Sequence, residues 1–345
     1  MLPKIGSTPA ATDPTHNWRA FMRIKHLLGA AAFALASTVW AQTPAPKLIA
    51  IVSFGEHPAF TQITDGFKAR MDQLGYHDGR QVTYDFMHAN FDRSLVPQIL
   101  QRAEAKKPAL ILGLTTPLNQ AAVRGIKDKS IPIVFASVVD PVAAGLVPDW
   151  QHGSTWSSGA SLLQNFEPSL AFVKQVVPSV KRIGTLYNPG EDNDKTNMDL
   201  YQKAARKLGL EVVAVPVDNA NDIPQRAQSF AGKVDAIYQI QSNIVQTSIP
   251  VLAQVARRIR VPLFNSVYSE KLKDQLAGFH AVSYLKNGEH AADIADRILK
   301  GEKPADIAPY VPKPADFDSY ISPQGLQAVG LSVPPELANS PWIIK

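Results

Sequence analysis

Apolar and polar positions alternate along this chain in two different periods. The segment Leu48–Phe60 begins as an apolar, β-branched run, which is typical of a strand buried on both faces of a parallel sheet. After a break at Gly55, apolar residues recur every three to four positions up to Leu74-Gly75, a pattern that predicts an amphipathic helix over Phe60–Leu74. Repeated alternation of this kind predicts βαβ units and an α/β fold.

The same two periods predict elements along the rest of the chain. Strands are predicted at Ile49–Phe54, Gln81–Met87, Ala109–Leu114, Ile131–Ser137, Arg182–Tyr187, Glu211–Val217, Val234–Ile240 and Val261–Asn265. The segment Leu276–Val282 belongs to a remainder that the two halves share. Further helices are predicted at Leu95–Ala105, Phe166–Val177, Thr196–Leu208, Ile223–Phe230 and Tyr284–Leu299, with one that starts at Thr115-Thr116-Pro117 and one that ends at Ile259. Residues 145–165, rich in Gly and Ser, predict a connection.

The two halves of this pattern match each other. IAIVSFGEHP corresponds to RIGTLYNPGE, PALILGLTTP to VDAIYQIQSN, and IPIVFASVVDP to VPLFNSVYSE. A repeat of about 130 residues is too long for a solenoid unit, so it predicts two similar doubly wound lobes with parallel sheets. We expect residues 47–160 and 284–308 to form lobe 1, and residues 163–283 and 309–345 to form lobe 2. Three crossings between lobes would then form a hinge around a ligand cleft.

The N-terminal residues 1–41 predict export. Met22-Arg-Ile-Lys-His is basic and is followed by the apolar run Leu27–Trp40, which is the pattern of a secretory signal peptide. We expect cleavage after Ala41, with Ala34-Leu35-Ala36 as an alternative site, and hence a periplasmic protein. Residues before Met22 lack any such pattern, so Met22 is a candidate for the true start.

Composition and motifs exclude several function classes. Four of the 35 basic and one of the 30 acidic residues lie in residues 1–41, so the rest carries a net charge of only +2, which does not indicate nucleic-acid binding. The absence of cysteine excludes disulfides and thiolate chemistry. Phosphate-loop, nucleophile-elbow, zinc-protease and dinucleotide motifs are absent, and the eight histidines are scattered. We therefore expect no catalysis, no cofactor and no metal.

Ligands of open α/β sheets bind at the loops that follow the strands. Thr115, Thr116, Ser242 and Asn243 lie at such loops and begin helices, whose free N–H groups suit a carboxylate. In lobe 1 the negative charges of Glu56 and Asp140 suit an ammonium. Together these features predict a ligand that carries both groups.

Aromatic residues at strand ends add a possible apolar contact. Phe54, Tyr187 and Tyr268 could stack on an apolar or aromatic side chain of the ligand. Plainer interpretations also stay open. Thr116 suits a helix cap, Asp140 and Asn188 suit turns, and Phe54 and Tyr187 suit core positions. Glu56 suits a partner of the helix dipole and His57 a surface position.

Several of these segments together resemble a known family. FGEHPAF, LGLTTPLNQAA, IPIVFASVVDPVAAGL, KRIGTLYNPGE and AGKVDAIY are similar, in that order, to the solute-binding proteins of ABC transporters in the TrpX-like group. The resemblance runs from about Lys47 to Gly330 and implies the two-lobed type I fold of periplasmic binding proteins. It also implies capture of a small amino-acid-like solute, in several members an aromatic amino acid, and its delivery to an inner-membrane permease by a monomer without a cofactor.

The resemblance further implies site residues. Its motifs match Glu56, His57, the Thr115-Thr116 pair, Asp140 and Asn188. Relatives that read T-D-N and S-D-E-D-S have acidic residues where this chain has Gln241-Ser242-Asn243 and Asn265-Ser266-Val267-Tyr268-Ser269. We therefore expect an ammonium to depend on Glu56 and Asp140. The full set of expected ligand contacts is Phe54, Glu56, His57, Thr115, Thr116, Asp140, Tyr187, Asn188, Gln241, Ser242, Asn243, Asn265, Ser266 and Tyr268.

Two other functions are compatible with this sequence. A two-lobed protein of this kind could report ligand occupancy to a membrane receptor, although the chain carries no fused signalling domain. An exported α/β enzyme is the second alternative, and it would require turnover that depends on Glu56.

Overall fold

The computed structural model of the protein describes residue 1 and residues 45–344. Residues 46–344 lie in one compact unit, to which the following description is restricted. The expected signal peptide, its cleavage after Ala41 and the alternative start at Met22 lie outside the described residues. In the described part of the chain, no helix has the length and apolar character needed to cross a membrane.

The first sheet has five parallel strands in the order β2-β1-β3-β4-β5. Its strands are β1 (Lys47–Ser53), β2 (Val82–His88), β3 (Leu110–Leu114), β4 (Ile133–Val138) and β5 (Ser157–Ser161). The intervening helices are α1 (Pro58–Gln73), α2 (Val96–Ala105) and α3 (Thr116–Gly125). The middle residues of β1 are fully buried, because helices cover both faces of the sheet.

The second sheet has six strands in the order β11-β10-β9-β8-β6-β7. Its strands are β6 (Arg182–Tyr187), β7 (Glu211–Pro216), β8 (Ala236–Gln239), β9 (Leu263–Asn265), β10 (Gly278–Val282) and β11 (Phe317–Ile321). The helices from this half of the chain are α4 (Phe166–Val176), α5 (Asp192–Lys207), α6 (Ile223–Gln228), α7 (Asn243–Gln246), α8 (Ile249–Arg258), α9 (Tyr284–Leu299) and α10 (Pro323–Gln327). The prediction of two α/β lobes is confirmed.

We call the first sheet with its helices the first lobe, and the second sheet with its helices the second lobe. The chain leaves the first sheet after β5 and leaves the second sheet after β10. It then forms α9, which packs against α1 in the first lobe, and returns to the second sheet at β11. Three connections therefore join the lobes, as a hinge requires. The expected residue limits of the lobes stay a prediction.

Four details differ from the sequence-based expectations. The connection predicted at 145–165 contains β5, whose small residues give no apolar signal although all five are buried. In the C-terminal tail, β11 pairs antiparallel with β10. The helix predicted to end at Ile259 is two helices, α7 and α8, separated by two residues before Pro250. Finally, α5 begins at Asp192 and not at Thr196, because the acidic first turn favours the positive end of the helix dipole.

Two glycines allow the closest helix contact in the first lobe. A Cβ atom at Gly66 of α1 would lie 2.1 Å from the carbonyl oxygen of Leu285, and one at Gly288 of α9 would lie 2.0 Å from that of Ile63. The backbones of α1 and α9 therefore touch at a distance that no side chain permits. Since α9 starts directly after a crossing, this contact fixes where the chain re-enters the first lobe.

Replacing Gly288 with Ala should destabilise the protein, because backbone atoms of α1 must move to admit the methyl group. We expect a loss of about 1–3 kcal/mol in the free energy of unfolding, measured by urea denaturation. Gly125→Ala is the matched control, since nothing lies within 4 Å of its added Cβ. That variant should be as stable as the parent or slightly more stable. Equal stabilities for the two variants would contradict the proposed backbone contact.

Candidate functional site

The carboxyl edges of the two sheets face each other, and polar contacts join them directly. His57 hydrogen-bonds the carbonyl of Gln246 at 3.0 Å, and Gln62 donates to the carbonyl of Tyr268 at 3.2 Å. Two further bonds run from Arg93 to the carbonyl of Gly190 at 3.4 Å and from Gln120 to Asp192 at 3.0 Å. The structure is therefore a closed form of the cleft.

A small cavity lies between the two edges. From the first lobe it is lined mainly by apolar side chains: Phe60, Phe91, Val139 and Leu162, with His57 and Ser137. From the second lobe it is lined mainly by polar side chains: Asn193, Gln241, Ser242, Asn243 and Gln246, with Val267. Its volume of about 20 Å³ holds little more than one water molecule, so a larger ligand requires the lobes to separate.

His57 connects the start of α1 to the second lobe. Its Nδ1 accepts a hydrogen bond from the backbone N–H of Ala59 at 3.1 Å, so Nδ1 carries no proton. Nε2 must then carry the proton and donate it to the carbonyl of Gln246. Burial lowers the pKa of His57, which keeps the ring neutral in the form that both bonds require.

Strained backbone marks the edge of the first lobe. Phe91 after β2, Thr115 after β3 and Ser137 in β4 have φ angles of 60°, 82° and 56°, values that cost free energy for residues other than glycine. Ser137 is held by Asn287 of α9, whose Oδ1 accepts from the Ser137 N–H at 3.0 Å and whose Nδ2 donates to the carbonyl of Ser161 at 2.9 Å. Such strain concentrates where proteins bind ligands.

The polar wall of the second lobe contains buried atoms without internal partners. Gln241 is 5% exposed, and neither its amide oxygen nor its amide nitrogen makes a hydrogen bond. The hydroxyl of Ser242 and the Oδ1 of Asn193 are likewise buried and unpartnered. Buried polar atoms are nearly always hydrogen-bonded in folded proteins. Residues that line this side of the cavity therefore have unused donors and acceptors.

Two carboxyl groups lie behind this wall, at the start of α5. Glu191 accepts from Asn243 at 2.6 Å and lies 3.8 Å from Arg93 of the first lobe. Asp194 is fully buried and accepts from the N–H of Asn188 at 2.6 Å and from the side chain of Asn193 at 2.7 Å. Burial raises the pKa of both groups, and for Asp194 burial together with the charge of Glu191 raises it to about 8.

This pair adds to the sequence-based expectation. The acidic residues expected in relatives are absent at 242 and 265–269, but Glu191 and Asp194 supply two carboxyl groups elsewhere at the same edge. The acidic run Glu191-Asp192-Asn193-Asp194 directly after the turn Asn188-Pro189-Gly190 was the available signal. A turn that leads from a strand into a helix lies at the carboxyl edge of the sheet, so a carboxylate in it lies where ligands bind.

The expected site residues divide into three groups. His57, Gln241, Ser242 and Asn243 line the cavity. Glu56, Asn188, Phe54 and Tyr268 border wider grooves beside it. The remaining six, Thr115, Thr116, Asp140, Tyr187, Asn265 and Ser266, border neither the cavity nor these grooves.

Several side chains outside the cavity have other roles in this closed form. Glu56 is 74% exposed at the rim, 3.8 Å from His88. Asp140 accepts from the N–H groups of Val142 and Ala143 and so holds its own turn. The sequence predicted Glu56 and Asp140 as charge partners of an ammonium. In this closed form, an ammonium in the cavity would contact neither carboxylate.

Buried neighbours explain several other positions. Phe54 packs edge-on against Phe91 at 5.7 Å, and Asn265 exchanges hydrogen bonds with the Gln246 side chain. Thr115 and Thr116 are buried with unpartnered hydroxyls at the end of β3. Tyr268 packs against Phe279 and Tyr320.

Sequence reasoning missed most of the apolar lining. Phe91 follows β2, whose loop carried no motif, and Leu162 follows the unpredicted strand β5. Tyr284 and Asn287 belong to α9 and reach the cleft only because that helix returns to the first lobe. Among residues 45–344, no group of three or more His, Asp or Glu side chains is arranged to hold a metal ion.

Residues 48–342 match the family described as "ABC transporter substrate binding protein". The chain belongs to this family. A curated relative, a tyrosine-binding protein from Clostridioides difficile strain R20291, is 32% identical over 261 residues, which cover 76% of this chain and 75% of the relative. The family resemblance drawn from the motifs is thereby confirmed.

Two solved structures are similar over nearly the whole described chain. The ABC domain from Streptococcus pneumoniae in complex with L-Trp is 26% identical and has a TM-score of 0.80. The match covers 87% of this chain and 100% of that domain. A ligand-free, open substrate-binding protein with adhesive properties from Clostridium difficile is 30% identical, with a TM-score of 0.66 and coverages of 87% and 99%. The more identical structure fits less well, as expected if its open lobes are arranged differently.

Replacing Asp194 with Asn should make the stability of the ligand-free protein less dependent on pH. The carboxyl pKa rises from about 3.9 in the unfolded chain to about 8 in the folded protein, so the folded state binds more protons between these values. Stability contributed by Asp194 therefore falls as pH rises from about 4 to about 8. We expect the melting temperature of Asp194→Asn to exceed that of the parent more at pH 8 than at pH 5.

Asp199→Asn is the control for this comparison, since Asp199 is an exposed residue of the same helix paired with Lys203. Its melting temperature should follow that of the parent at every pH. A constant difference between Asp194→Asn and the parent across pH 5–8 would contradict a raised pKa for the buried carboxyl.

Acidification should weaken closure through His57. Burial lowers the pKa of His57 in the closed form, so the contribution of the neutral ring to closure is full above the ordinary pKa of about 6.5. It declines as pH falls below that value and is lost at the lowered pKa. Protonated Nδ1 can no longer accept from Ala59. We expect the radius of gyration from small-angle X-ray scattering to increase below pH 6 in the parent. His57→Asn retains a good helix cap but lacks the Nε2 donor, so its radius should not change in this range.

Proposed function

We propose that this protein is the periplasmic solute-binding component of an ABC import system and that it captures an aromatic amino acid between its lobes. The observation that carries the proposal is the division of the cavity into two walls. The first lobe offers Phe60, Phe91 and Leu162, and the second offers unpartnered polar atoms on Gln241 and Ser242 with carboxyl groups behind them. An aromatic amino acid has the same division, with an apolar ring at one end and charged groups at the other.

The relatives support the same ligand class. One is named for binding tyrosine and another was solved with L-Trp. Both ligands are large enough that the cleft must open to admit them and close on a wider cavity than the present one. Closing then buries most of the ligand surface, as in other small-molecule sites.

The orientation we propose differs from the one that the sequence suggested. The ammonium faces the second lobe, near Asn193 and Ser242, and the ring faces the first. The amide of Gln241 supplies both a donor and an acceptor for the charged end of the amino acid. The closed, monomeric protein then presents the solute to a membrane permease, without catalysis and without a cofactor.

The first test is the melting temperature of the purified mature protein in the presence of each of the twenty amino acids. A ligand at 100 times its Kd should stabilise the closed form by about 2.7 kcal/mol, which raises the melting temperature by several degrees. We expect L-tyrosine or L-tryptophan to give the largest shift. A shift with a sugar or an organic acid but with no amino acid would refute the ligand class.

Gln241→Ala should weaken binding of the responsive amino acid at least tenfold with little change in stability, because its amide makes no internal hydrogen bond. Gln239→Ala is a contrasting variant. The Gln239 amide bonds the backbone N–H and carbonyl of Leu186 inside the second lobe, so its loss should lower stability. Isothermal titration calorimetry and urea denaturation separate the two effects. A Gln241→Ala protein that binds normally would remove this residue from the site.

A further inference from the structure

We propose that the buried pair of Asp194 and Glu191 selects a ligand with a protonated amine, and that Asp194 releases its proton when such a ligand binds. This inference rests on the proposed function, since the amine is that of an amino acid. It adds a positioning role for Asp194, which acts on the ligand through Asn193 and Ser242.

The geometry joins Asp194 to the cavity in one step. Asn193 donates its side-chain N–H to Asp194 at 2.7 Å, while its own Oδ1 is unpartnered and its side chain lines the cavity. Ser242 also lines the cavity, and its hydroxyl lies beside the Asp194 carboxyl without a well-formed hydrogen bond. A negative charge on Asp194 would therefore make both cavity-lining groups better acceptors for an ammonium.

The groups around the two carboxyls favour a proton on Asp194. Arg93 of the first lobe approaches Glu191 at 3.8 Å, and Asn243 of α7 donates to the same carboxyl. Asp192 contacts Gln120 and Lys195, and the neutral His57 donates to the Gln246 carbonyl. Asp194 receives neutral donors from Asn188 and Asn193, while the like charge of Glu191 opposes its ionisation.

Burial and Glu191 together raise the pKa of Asp194 to about 8, so the carboxyl holds a proton at pH 7 in the ligand-free protein. An ammonium at the wall supplies the opposite charge that Asp194 lacks, and this favours the ionised carboxylate. The O–H bond of Asp194 then breaks, its electron pair stays on the carboxylate, and the proton passes to solvent. A neutral or purely anionic ligand gives no such compensation.

An independent observation indicates that this wall meets a ligand. Gln241, Ser242 and Asn193 line the cavity, are each more than nine-tenths buried, and each carry a side-chain polar atom without a hydrogen-bond partner. Unpaired buried atoms of this kind are costly, and a polar ligand group would pair with them. The carboxyl pair behind the wall then determines the sign of the charge that this group should carry.

The decisive experiment is isothermal titration calorimetry of the intact mature protein with L-tyrosine at pH 7, in two buffers of different ionisation enthalpy. The difference in observed enthalpy gives the number of protons released, and we expect most of one proton. The amine-free analogue 3-(4-hydroxyphenyl)propionate should bind at least tenfold more weakly and release none. Equal enthalpies for L-tyrosine in both buffers would overturn the inference.

Two variants assign the proton to its residue. Asp194→Asn should abolish proton release and bring the affinities for L-tyrosine and its amine-free analogue within threefold of each other. Asp199→Asn, on the exposed face of the same helix, should behave as the parent does. Proton release that persists in Asp194→Asn would show that another group supplies the proton, and the inference would be wrong.

A spectroscopic measurement on the parent protein keeps the test independent of these variants. Difference infrared spectroscopy at pH 7 should show a carboxylic acid C=O band that disappears when L-tyrosine is added. Binding without loss of this band would refute the inference and leave the proposed function intact. If neither L-tyrosine nor L-tryptophan binds in any of these assays, both proposals are wrong.

Discussion

The close contact between α1 and α9 organises the ligand-binding edge of the first lobe. Because Gly66 and Gly288 let the two backbones touch, a helix from the last quarter of the chain packs into a lobe built from the first half. That helix brings Asn287 to the ends of β4 and β5, where it holds the strained residue Ser137. The point where the chain re-enters the first lobe and the cleft edge at Ser137 therefore depend on the same helix.

The sequence predicted the fold well because buried parallel strands have a strong local signal. Runs such as Ile49–Phe54 are apolar except for Ser53. Gly75 and Gly209, both with positive φ, mark the ends of the helices before them. The strand β5 could not be predicted, because its small residues carry no hydrophobic pattern. These residues are small because their surroundings leave no room for larger side chains. A Cβ at Gly159 would lie 2.1 Å from the carbonyl oxygen of Phe135, which explains why small residues occur there.

The candidate site was predicted less completely, since contacts across the cleft leave no periodic pattern. Loops after strands could be named, and His57, Gln241, Ser242 and Asn243 do line the cavity. The sequence could not predict which way each side chain points. Glu56 extends to the exposed rim, whereas Glu191 and Asp194 are buried. The buried carboxyl groups Glu191 and Asp194 therefore lie in the second lobe, where the sequence indicated none.

The direct bonds between the lobes have a consequence for how affinity evolves. A protein that closes without a ligand binds only through its open fraction, so the observed dissociation constant equals the intrinsic one divided by that fraction. Gln120 strengthens closure at a point outside the cavity. Changes at this position would alter the affinity for every ligand by the same factor. Uptake could thus be tuned to scarce or abundant solute while the choice of solute stays unchanged.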